Sequence, residues 1–555
     1  MNATGFEGSA QTLRPSTSTG SSLEGVQQWI QEAGYTASIL RPTNVPVTGI
    51  TMDSREVQPG DLYVALPGAR AHGAQFLDAV VAAGASAILT DTAGVDIAGA
   101  ATELPGLVQC EDLRAVVGPL AAEIYRSQPS DGSAPTLFAV TGTNGKTTST
   151  YMINAIMQSL GNATGLIGTI EILAGGVSIP SKLTTPESPH VHSLLSLMRE
   201  NGIGSAAMEV SSHALDYRRV DGVRYDVAGF TNLTQDHLDL HGTMDSYFES
   251  KAALFTPERA RRAVILVDDE WGEAMAAHAD QAMGVSNVVR LRSGFGAGVT
   301  PRPDLKPQDW AVTGIQRSGI GHEFTLVRGD GFELRTSTQL PADFNVSNAA
   351  LAAVMVAEGT EDADALAQVL AQPETLTPVV PGRMQLIAHQ PTALVDFAHN
   401  PDALKRALEA VEPAENAGRI IVVFGATGER DQTKRPIMGA IAAQYADIVI
   451  VTDDDPHGED PEPIRVAVET GAREAVESGA RAADVLNIAP RTAAIEYAAK
   501  IAGENDSIVV AGRGHETAQD VAGVDLDLDD RVEVARALTA YGYDVLPAYR
   551  LAEGA

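Results

Sequence analysis

Val140-Thr141-Gly142-Thr143-Asn144-Gly145-Lys146-Thr147-Thr148 is the stretch on which the fold class turns. The apolar run 136–141 leads into it and reads as a buried strand. Met152, Ile153, Ile156, Met157 and Leu160 follow with helical spacing, and Gly161 supplies a stop. Strand, glycine-containing loop and helix in that order put backbone N–H groups and a helix N-terminus around a phosphate. Lys146 then falls near the β- and γ-phosphates, and the Thr147 hydroxyl on Mg2+. The generic loop has a glycine six residues before the lysine, where this chain has Val140, so the loop is a variant. A Gly-Lys-Thr triplet alone fits an ordinary turn; the flanking strand and helix favour a nucleotide site.

From about residue 381 the pattern becomes regular. Apolar strand candidates at 393–395, 420–424, 448–451 and 508–510 alternate with helical stretches at 403–411, 437–445, 464–476 and 493–501. Such alternation builds βαβ units and a parallel sheet. Towards the N-terminus, Pro59-Gly60 turns into a strand candidate at 61–66, after the polar triplet Asp53-Ser54-Arg55, and a helix-like stretch covers 76–83. Residues 1–23, rich in Ser, Thr and Gly, read as a disordered extension. The 127–133 stretch reads as a linker, and the helix before it is assigned to the second domain.

Composition bounds the partners. With 39 Lys+Arg against 72 Asp+Glu, the formal charge is −33. That opposes a broad nucleic-acid surface and docking on an anionic bilayer. A length of 555 residues, 44% hydrophobic and 20% charged, fits three or four globular domains. The single cysteine, Cys110, excludes an internal disulfide and a cysteine-based zinc site, and suits a reducing compartment. No run approaches the roughly 18 apolar residues of a membrane span, and no secretory signal opens the chain. The expectation is a cytoplasmic monomer with no nucleic-acid partner and no membrane span.

A second constellation comprises Glu209-Val210-Ser211-Ser212-His213 and the 231–239 stretch. Glu209 follows the apolar Ala206-Ala207-Met208 and reads as a carboxylate at a strand end. Mg2+ takes carboxylate, hydroxyl and water ligands beside substrate phosphates. His237 and His241 have the spacing of a helical metal pair, but no His-Glu-x-x-His motif accompanies them, and a structural role is preferred to zinc.

In order and spacing, Asp53-Ser54-Arg55, 141–148, Thr184-Thr185-Pro186-Glu187, 209–213, 231–239, 345–348, Gly382-Arg383-Met384, 396–402, 428–436, 454–457 and 512–516 resemble the motifs of the Mur ligases. Within them the likeness is to the UDP-N-acetylmuramoyl-tripeptide synthetases (MurE type), over about residues 45–540. The resemblance implies an α/β fold of three domains: 24–112 for a UDP-sugar, 113–380 as a central P-loop ATPase domain, and 381–555 as a Rossmann-like domain for the incoming amino acid. It also implies the reaction UDP-MurNAc-L-Ala-D-Glu + amino acid + ATP → tripeptide + ADP + phosphate, with ATP and Mg2+, in peptidoglycan precursor synthesis. That chemistry suits the residues, since a carboxylate is a poor electrophile until ATP converts it to an acyl phosphate. Such a transfer needs positioning and cations, which Lys146 and Mg2+ supply. A folylpolyglutamate-synthase-like ligase is the nearest alternative, opposed by the Asp53-Ser54-Arg55 domain. A mechanical or regulatory ATPase is another, and it would turn over ATP without both co-substrates.

Carried over residue by residue, the resemblance places Gly142, Thr143, Asn144, Gly145, Lys146, Thr147 and Thr148 on ATP, with Glu209, His237 and Thr147 as Mg2+ ligands. It places Asn345 and Asn348 on adenine, helix-capping amides being the alternative, and Arg383 and Asp396 near the γ-phosphate and ribose. Ser54 falls on the UDP-sugar, and Thr184, Thr185, Ser211 and Arg219 on its muramoyl-peptide part. Tyr217 stands where a related enzyme has Gln, and His399 shares the turn of Asp396 without an assigned role. Lys251 matches a lysine that the family carbamylates, giving oxygens that can ligate Mg2+; the alternative is a surface lysine beside Glu249 or Asp245.

The added amino acid is read from Asp454-Asp455-Pro456-His457, where members that add meso-diaminopimelate carry Asp-Asn-Pro-Arg. That Arg grips the distal carboxylate through a bidentate pair, which His457 cannot reproduce. Asp455 replaces a neutral Asn, while Asp454 and Glu516 stay acidic, so the pocket is expected to favour an ammonium. L-Lysine is favoured, with L-ornithine and meso-diaminopimelate as alternatives; Arg430 and the Gly512 to Glu516 loop hold the shared α-amino-acid end.

Overall fold

The computed structural model describes residues 14–16, 18–68, 70–99, 104–174, 177–294, 305–412 and 418–550. The strand at 136–141 is present as Thr136–Thr141, buried from Leu137 onward. Leu137 and Ala139 face one core, shared with helices Ser188–Glu200 and Glu270–Met283. Phe138 and Val140 face another, shared with helices Lys146–Ser159 and Phe344–Gly359. Burial on both faces is why the run is apolar without alternation.

Strands Tyr225–Phe230 and Ser205–Glu209 flank it, both parallel, within an eleven-stranded sheet. Parallel pairing continues through Ala260–Leu266 and Val288–Arg292 to Trp310–Ser318, and on the other side to Thr164–Ile167. Antiparallel hairpins close both margins, including a ribbon of Trp310–Ser318, Gly321–Arg328 and Glu333–Thr338 that the apolar pattern does not announce. Because the neighbours of Thr136–Thr141 both come later in the chain, its C-terminal end opens the crevice in which α/β sheets bind ligands.

The first domain carries a five-stranded sheet in the order Ser38–Arg41, Gly106–Gln109, Ala87–Thr90, Asp61–Ala65, Gly49–Thr51. Two expectations change here. Helix Leu113–Tyr125, assigned from sequence to the central domain, puts Val116, Leu120 and Ile124 into one core with Val64 and Leu89 of this sheet. The first core thus runs past 112 to Tyr125. The extension expected over 1–23 is fixed in its latter part. Arg14 pairs with the fully buried Asp61, Ser21 and Val47 exchange backbone hydrogen bonds, and Ser22 caps helix Leu23–Glu32. A buried carboxylate requires such a cation. Residues 1–13 lie outside the described residues.

The third sheet runs Gln385–His389, Thr392–Asp396, Ser507–Ala511, Ile420–Phe424, Ile448–Val451, Asp484–Asn487, parallel except for the first pair. The alternation read from the sequence is its parallel core; the two margin strands are short and polar at their ends. No helix among the described residues is long and apolar enough to cross a membrane.

Beneath this sheet Arg491 is wholly buried and forks onto Asp530 (Nε to Oδ1 2.8 Å, Nη2 to Oδ2 2.7 Å). The same guanidinium donates to Asp453 O and Ala511 O, tying two helices to the ends of two strands. Asp530→Leu alone is expected to cost about 3–5 kcal/mol, by stranding a buried charge. Arg491→Met with Asp530→Leu should recover most of that loss, as read by urea denaturation.

Candidate functional site

The crevice at the end of Thr136–Thr141 widens into a cleft of about 900 Å³ between the central and C-terminal domains. Its floor is the 142–148 loop. Gly142 and Gly145 have φ of +144° and +90°, and a Cβ on them would lie 1.8 Å from Thr231 Oγ1 and 2.4 Å from Asn348 Oδ1. Only glycine fits either position. The 231–234 segment props the loop, with Thr231 Oγ1 donating to Asn144 O (2.7 Å) and Asn144 N to Asn232 Oδ1 (3.0 Å). Thr143, Asn144, Gly145, Lys146, Thr147 and Thr148 line the cleft; Gly142 does not. Lys146 Nζ donates to Gly142 O (2.9 Å) and Thr143 O (2.8 Å).

Glu209 closes the strand Ser205–Glu209 and is fully buried. It accepts from Thr147 Oγ1 (2.9 Å), Thr169 N (2.7 Å) and Thr169 Oγ1 (3.1 Å). Arg383 Nη2 lies 3.5 Å from the same Thr147 hydroxyl, its guanidinium over the Phe397 ring. Thr147, Glu209 and Arg383, distant in sequence, thus meet at one hydroxyl, with Lys146 in electrostatic reach of the last two. Asp396 accepts from Met384 N (2.6 Å), and burial raises its carboxyl. Asn345 and Asn348 both line the cleft, the second donating to the first (3.0 Å). Neither caps the helix Phe344–Gly359, whose N-cap is Asp343.

His237 stands edge-on to His213 at 4.8 Å. Burial, opposed by Asp236, lowers it to about 3, so it is a neutral imidazole near pH 7. His241 turns away, to Ser212 Oγ (3.0 Å) and the Tyr247 ring. The two do not form a metal pair, and among the described residues no three His, Cys, Asp or Glu are grouped to hold a metal. Lys251 is not at the surface. It lies buried under the loop, Nζ donating to Gly142 O (2.9 Å), 4.5 Å from the Tyr247 ring centre. Burial, and then the nearby Lys146, hold its amine well below the ordinary lysine value.

Thr184, Ser211 and Arg219 line the cleft. Thr185 stands behind them, donating to Glu209 O (2.8 Å) and accepting from Ser211 N (3.3 Å). Glu187 accepts from Arg219 Nε and from Arg114 Nη1 of the first domain, both at 2.9 Å. Ser54 is not gathered into the cleft; it lies in the first domain beside Tyr63.

Arg430, Asp454, Asp455, His457, Gly512 and Glu516 line the opposite wall. His457 Nδ1 bonds Asp520 Oδ2 (2.8 Å), so one ring nitrogen is committed to the hairpin Ala518–Val521/Val524–Asp527. The added charge expected from Asp455 is largely cancelled, because the wholly buried Arg513 pairs with it. Arg513 had no signal beyond its place in Gly-Arg-Gly. Glu516 is pushed up to about 8, first by burial and then by Asp454 and Asp455. Asn400 is another residue that sequence reasoning passed over. Fully buried, it donates to Asn144 Oδ1 (3.1 Å) and Asp236 Oδ2 (3.3 Å), and its Oδ1 caps helix Pro401–Glu409 at Ala403 N (2.9 Å). His399 faces Asp236 at 3.6 Å.

Glu516 sets a pH dependence. Its folded value lies above the ordinary 4.5, so the folded state holds the proton longer, and stability falls as pH rises from 4.5 towards 8. An ammonium bound beside it favours the carboxylate. Binding such an amino acid is therefore expected to release protons between pH 4.5 and about 8. Calorimetry in buffers of differing ionisation enthalpy should show that release, and Glu516→Gln should abolish it.

Comparison with known proteins agrees in all three domains. Residues 46–122 match the Mur ligase family catalytic domain, 140–356 the Mur ligase middle domain, and 382–514 the Mur ligase glutamate ligase domain. The chain is 43% identical to the UDP-N-acetylmuramyl-tripeptide synthetase of Leifsonia xyli subsp. xyli, over 90% of this chain and 93% of that one. It is 41% identical to the UDP-N-acetylmuramoyl-L-alanyl-D-glutamate--2,6-diaminopimelate ligase of Corynebacterium glutamicum, with the same coverage of 90% and 93%. A solved structure of a UDP-N-acetylmuramoyl-L-alanyl-D-glutamate--2,6-diaminopimelate ligase matches with a TM-score of 0.58 and 29% identity, over 90% of this chain and 96% of that one. The chain belongs to the Mur ligase family, the ATP-dependent ligases that add an amino acid to a UDP-N-acetylmuramoyl peptide in peptidoglycan synthesis.

Proposed function

We propose that this chain joins a diamino acid, L-lysine in preference to L-ornithine or meso-diaminopimelate, to the D-glutamyl carboxylate of UDP-MurNAc-L-Ala-D-Glu. The observation that carries the reading is one cleft with a phosphate loop and Glu209 on one wall, and Arg383 and the acidic pair Asp454 and Glu516 on the other. ATP activates the carboxylate as an acyl phosphate, and the amine displaces phosphate. Lys146, Thr148 and the loop N–H groups hold the phosphates; Asn345, Asn348 and Asp396 hold the nucleoside. Thr184, Thr185, Ser211 and Arg219 hold the muramoyl peptide, and Ser54 the UDP end. Gathering these groups from two domains in one cleft excludes water from the acyl phosphate.

Mg2+ suits the donors around the phosphate loop: the Thr147 hydroxyl, the Glu209 carboxylate, the neutral His237 and, once carbamylated, Lys251. Such a sparse set suits a cation that takes its remaining ligands from phosphate and water. When bound it neutralises charge on the transferred phosphoryl group. A buried amine with a depressed pKa reacts with CO2 where an ammonium does not, which supports carbamylation of Lys251. With 13C-bicarbonate, a carbamate carbon resonance is expected from the native chain and none from Lys251→Met; its absence from both would remove Lys251 from the ligand set.

His457 supports lysine, since its Nδ1 is held by Asp520 and the ring offers no two-pronged grip on a distal carboxylate. Diaminopimelate is the second reading, favoured by the names of the relatives and by Arg430 in the cleft wall. The reaction is assigned to a monomer in the cytoplasm, where nucleotide-linked substrates are made. Phosphate release with ATP, Mg2+ and UDP-MurNAc-L-Ala-D-Glu is expected to be fastest with lysine. His457→Arg should shift the ratio towards diaminopimelate by about tenfold, the worth of one charge-assisted pair. Release with diaminopimelate alone in the native chain would overturn the lysine assignment and leave the ligase intact.

A further inference from the structure

Arg383 lines the cleft with one guanidinium nitrogen 3.5 Å from the Thr147 hydroxyl, and the groups that touch it carry no charge. Its Nη1 donates to Gly382 O (3.2 Å) and stands 3.5 Å from His515 Nδ1. Burial, and then Arg383 itself, lower His515 to about 3, so that ring is neutral near pH 7. The guanidinium carbon lies 4.3 Å from the centre of the Phe397 ring. Asp396, Glu209 and Glu516 are within electrostatic reach, but each carboxylate is engaged elsewhere. Asp396 accepts from Met384 N, Glu209 from Thr147 and Thr169, and Glu516 faces Arg513 at 3.8 Å. An arginine forked onto a carboxylate has its N–H edge occupied and its field largely cancelled. Held by the face of a ring, it keeps both for an anion that arrives from outside.

The ring is itself braced. Phe397 follows the strand Thr392–Asp396 and lines the cleft, and neither apolar core of the C-terminal domain includes it. Its ring meets the imidazoles of His399 (4.7 Å between centres) and His515 (5.3 Å). His399 Nδ1 also bonds Phe397 O at 2.8 Å. A Cβ on Gly514 would lie 2.8 Å from Phe397 Cβ, and one on Gly382 would lie 2.1 Å from Gly514 C and His515 N. The aromatic residue and the backbone that carries Arg383 are therefore both pressed against one loop. An aromatic side chain that adds to no core, and spends its face on a cation in a substrate cleft, is placed for that cation.

Building on the ligase reading above, we infer that Phe397 is a positioning residue, its ring face holding the Arg383 guanidinium toward the phosphoryl group that passes from ATP to the substrate carboxylate. In that step a carboxylate oxygen bonds to the γ-phosphorus, while the bond from phosphorus to the bridging oxygen breaks and leaves its electron pair on ADP. Arg383 forms no bond; it offsets charge spreading over the non-bridging oxygens. Phe397 acts only through Arg383, by keeping the cation aimed without neutralising it.

The test replaces Phe397 with 4-fluoro-, 3,5-difluoro- and 3,4,5-trifluorophenylalanine in the full chain. Fluorine drains electron density from the ring face and leaves the size of the ring nearly unchanged, so a packing role would not register it. Hydroxamate formation is followed with ATP, Mg2+, UDP-MurNAc-L-Ala-D-Glu and hydroxylamine, without amino acid, so that no substrate ammonium meets the ring. The rate should fall in the order of fluorine content, by about tenfold for the trifluoro ring. ADP lacks the γ-phosphoryl group, and its affinity should stay within about twofold of native throughout. Phe397→Tyr keeps the ring face and should stay within about threefold of the native rate, whereas Phe397→Leu should lose about tenfold or more. A trifluoro rate within about twofold of native would overturn the inference. So would an ADP affinity that falls in step with the rate, which would give the ring to the nucleoside. If Phe397→Leu does not fold, the fluorinated series decides alone. A native chain that yields no hydroxamate would overturn the ligase reading, and this inference with it, before any variant is compared.

Discussion

Asn400 is fully buried where the C-terminal domain meets the phosphate loop, and each of its polar side-chain atoms is engaged. One N–H points to Asn144 of the loop, another to Asp236 beside His237, and the carbonyl caps its own helix. Asn144 returns a bond to Asp402 at 3.0 Å. No other side-chain type offers two donors and one acceptor in this geometry at this size. The placing of Arg383, Asp396 and the acidic wall opposite the phosphate loop follows from this junction, because all of them ride on the domain that it fixes.

The cleft holds cations that so acidic a composition does not announce. A chain with a net charge of −33 places Lys146, Arg219, Arg383 and Arg430 in the lining of a single cleft. Anionic substrates are met by a local cationic site inside an acidic envelope, so the bulk repulsion that keeps the protein soluble does not govern the cleft. Lys146 and Lys251 both donate to the Gly142 carbonyl, which brings two amines together on one oxygen. Mutual repulsion and burial then favour the uncharged form of the deeper one.

Much of the fold was legible because burial on both faces writes unbroken apolar runs. The strands Thr136–Thr141, Ile420–Phe424 and Ile448–Val451 begin and end where the runs do. The ribbon Trp310–Thr338 was not read, since many of its residues face solvent and its turn signal Gly329-Asp330-Gly331 joins strands without unbroken apolar runs. Lys146 and Glu209, tied to local motifs, were singled out from the sequence, and both line the cleft. Arg513 and Asn400 were missed because their roles are created by partners 58 and 256 residues away. Asp455 shows the same limit. Its charge is visible in the sequence and its cancellation is not. The 113 boundary failed for a related reason, as a helix beside a linker can pack on either neighbour, and only the side chains it meets decide.

Glu187 has one carboxylate oxygen on Arg114 of the first domain and the other on Arg219 of the substrate wall. The two guanidinium groups therefore share one carboxylate. Turning the first domain about the 126–135 connection cannot leave Arg219 in place unless Glu187 lets go of Arg114. The carboxylate thus couples the two domains through a pair that is half-exposed at Arg114, so a rotation of the first domain is felt at Arg219 and the coupling yields under modest force.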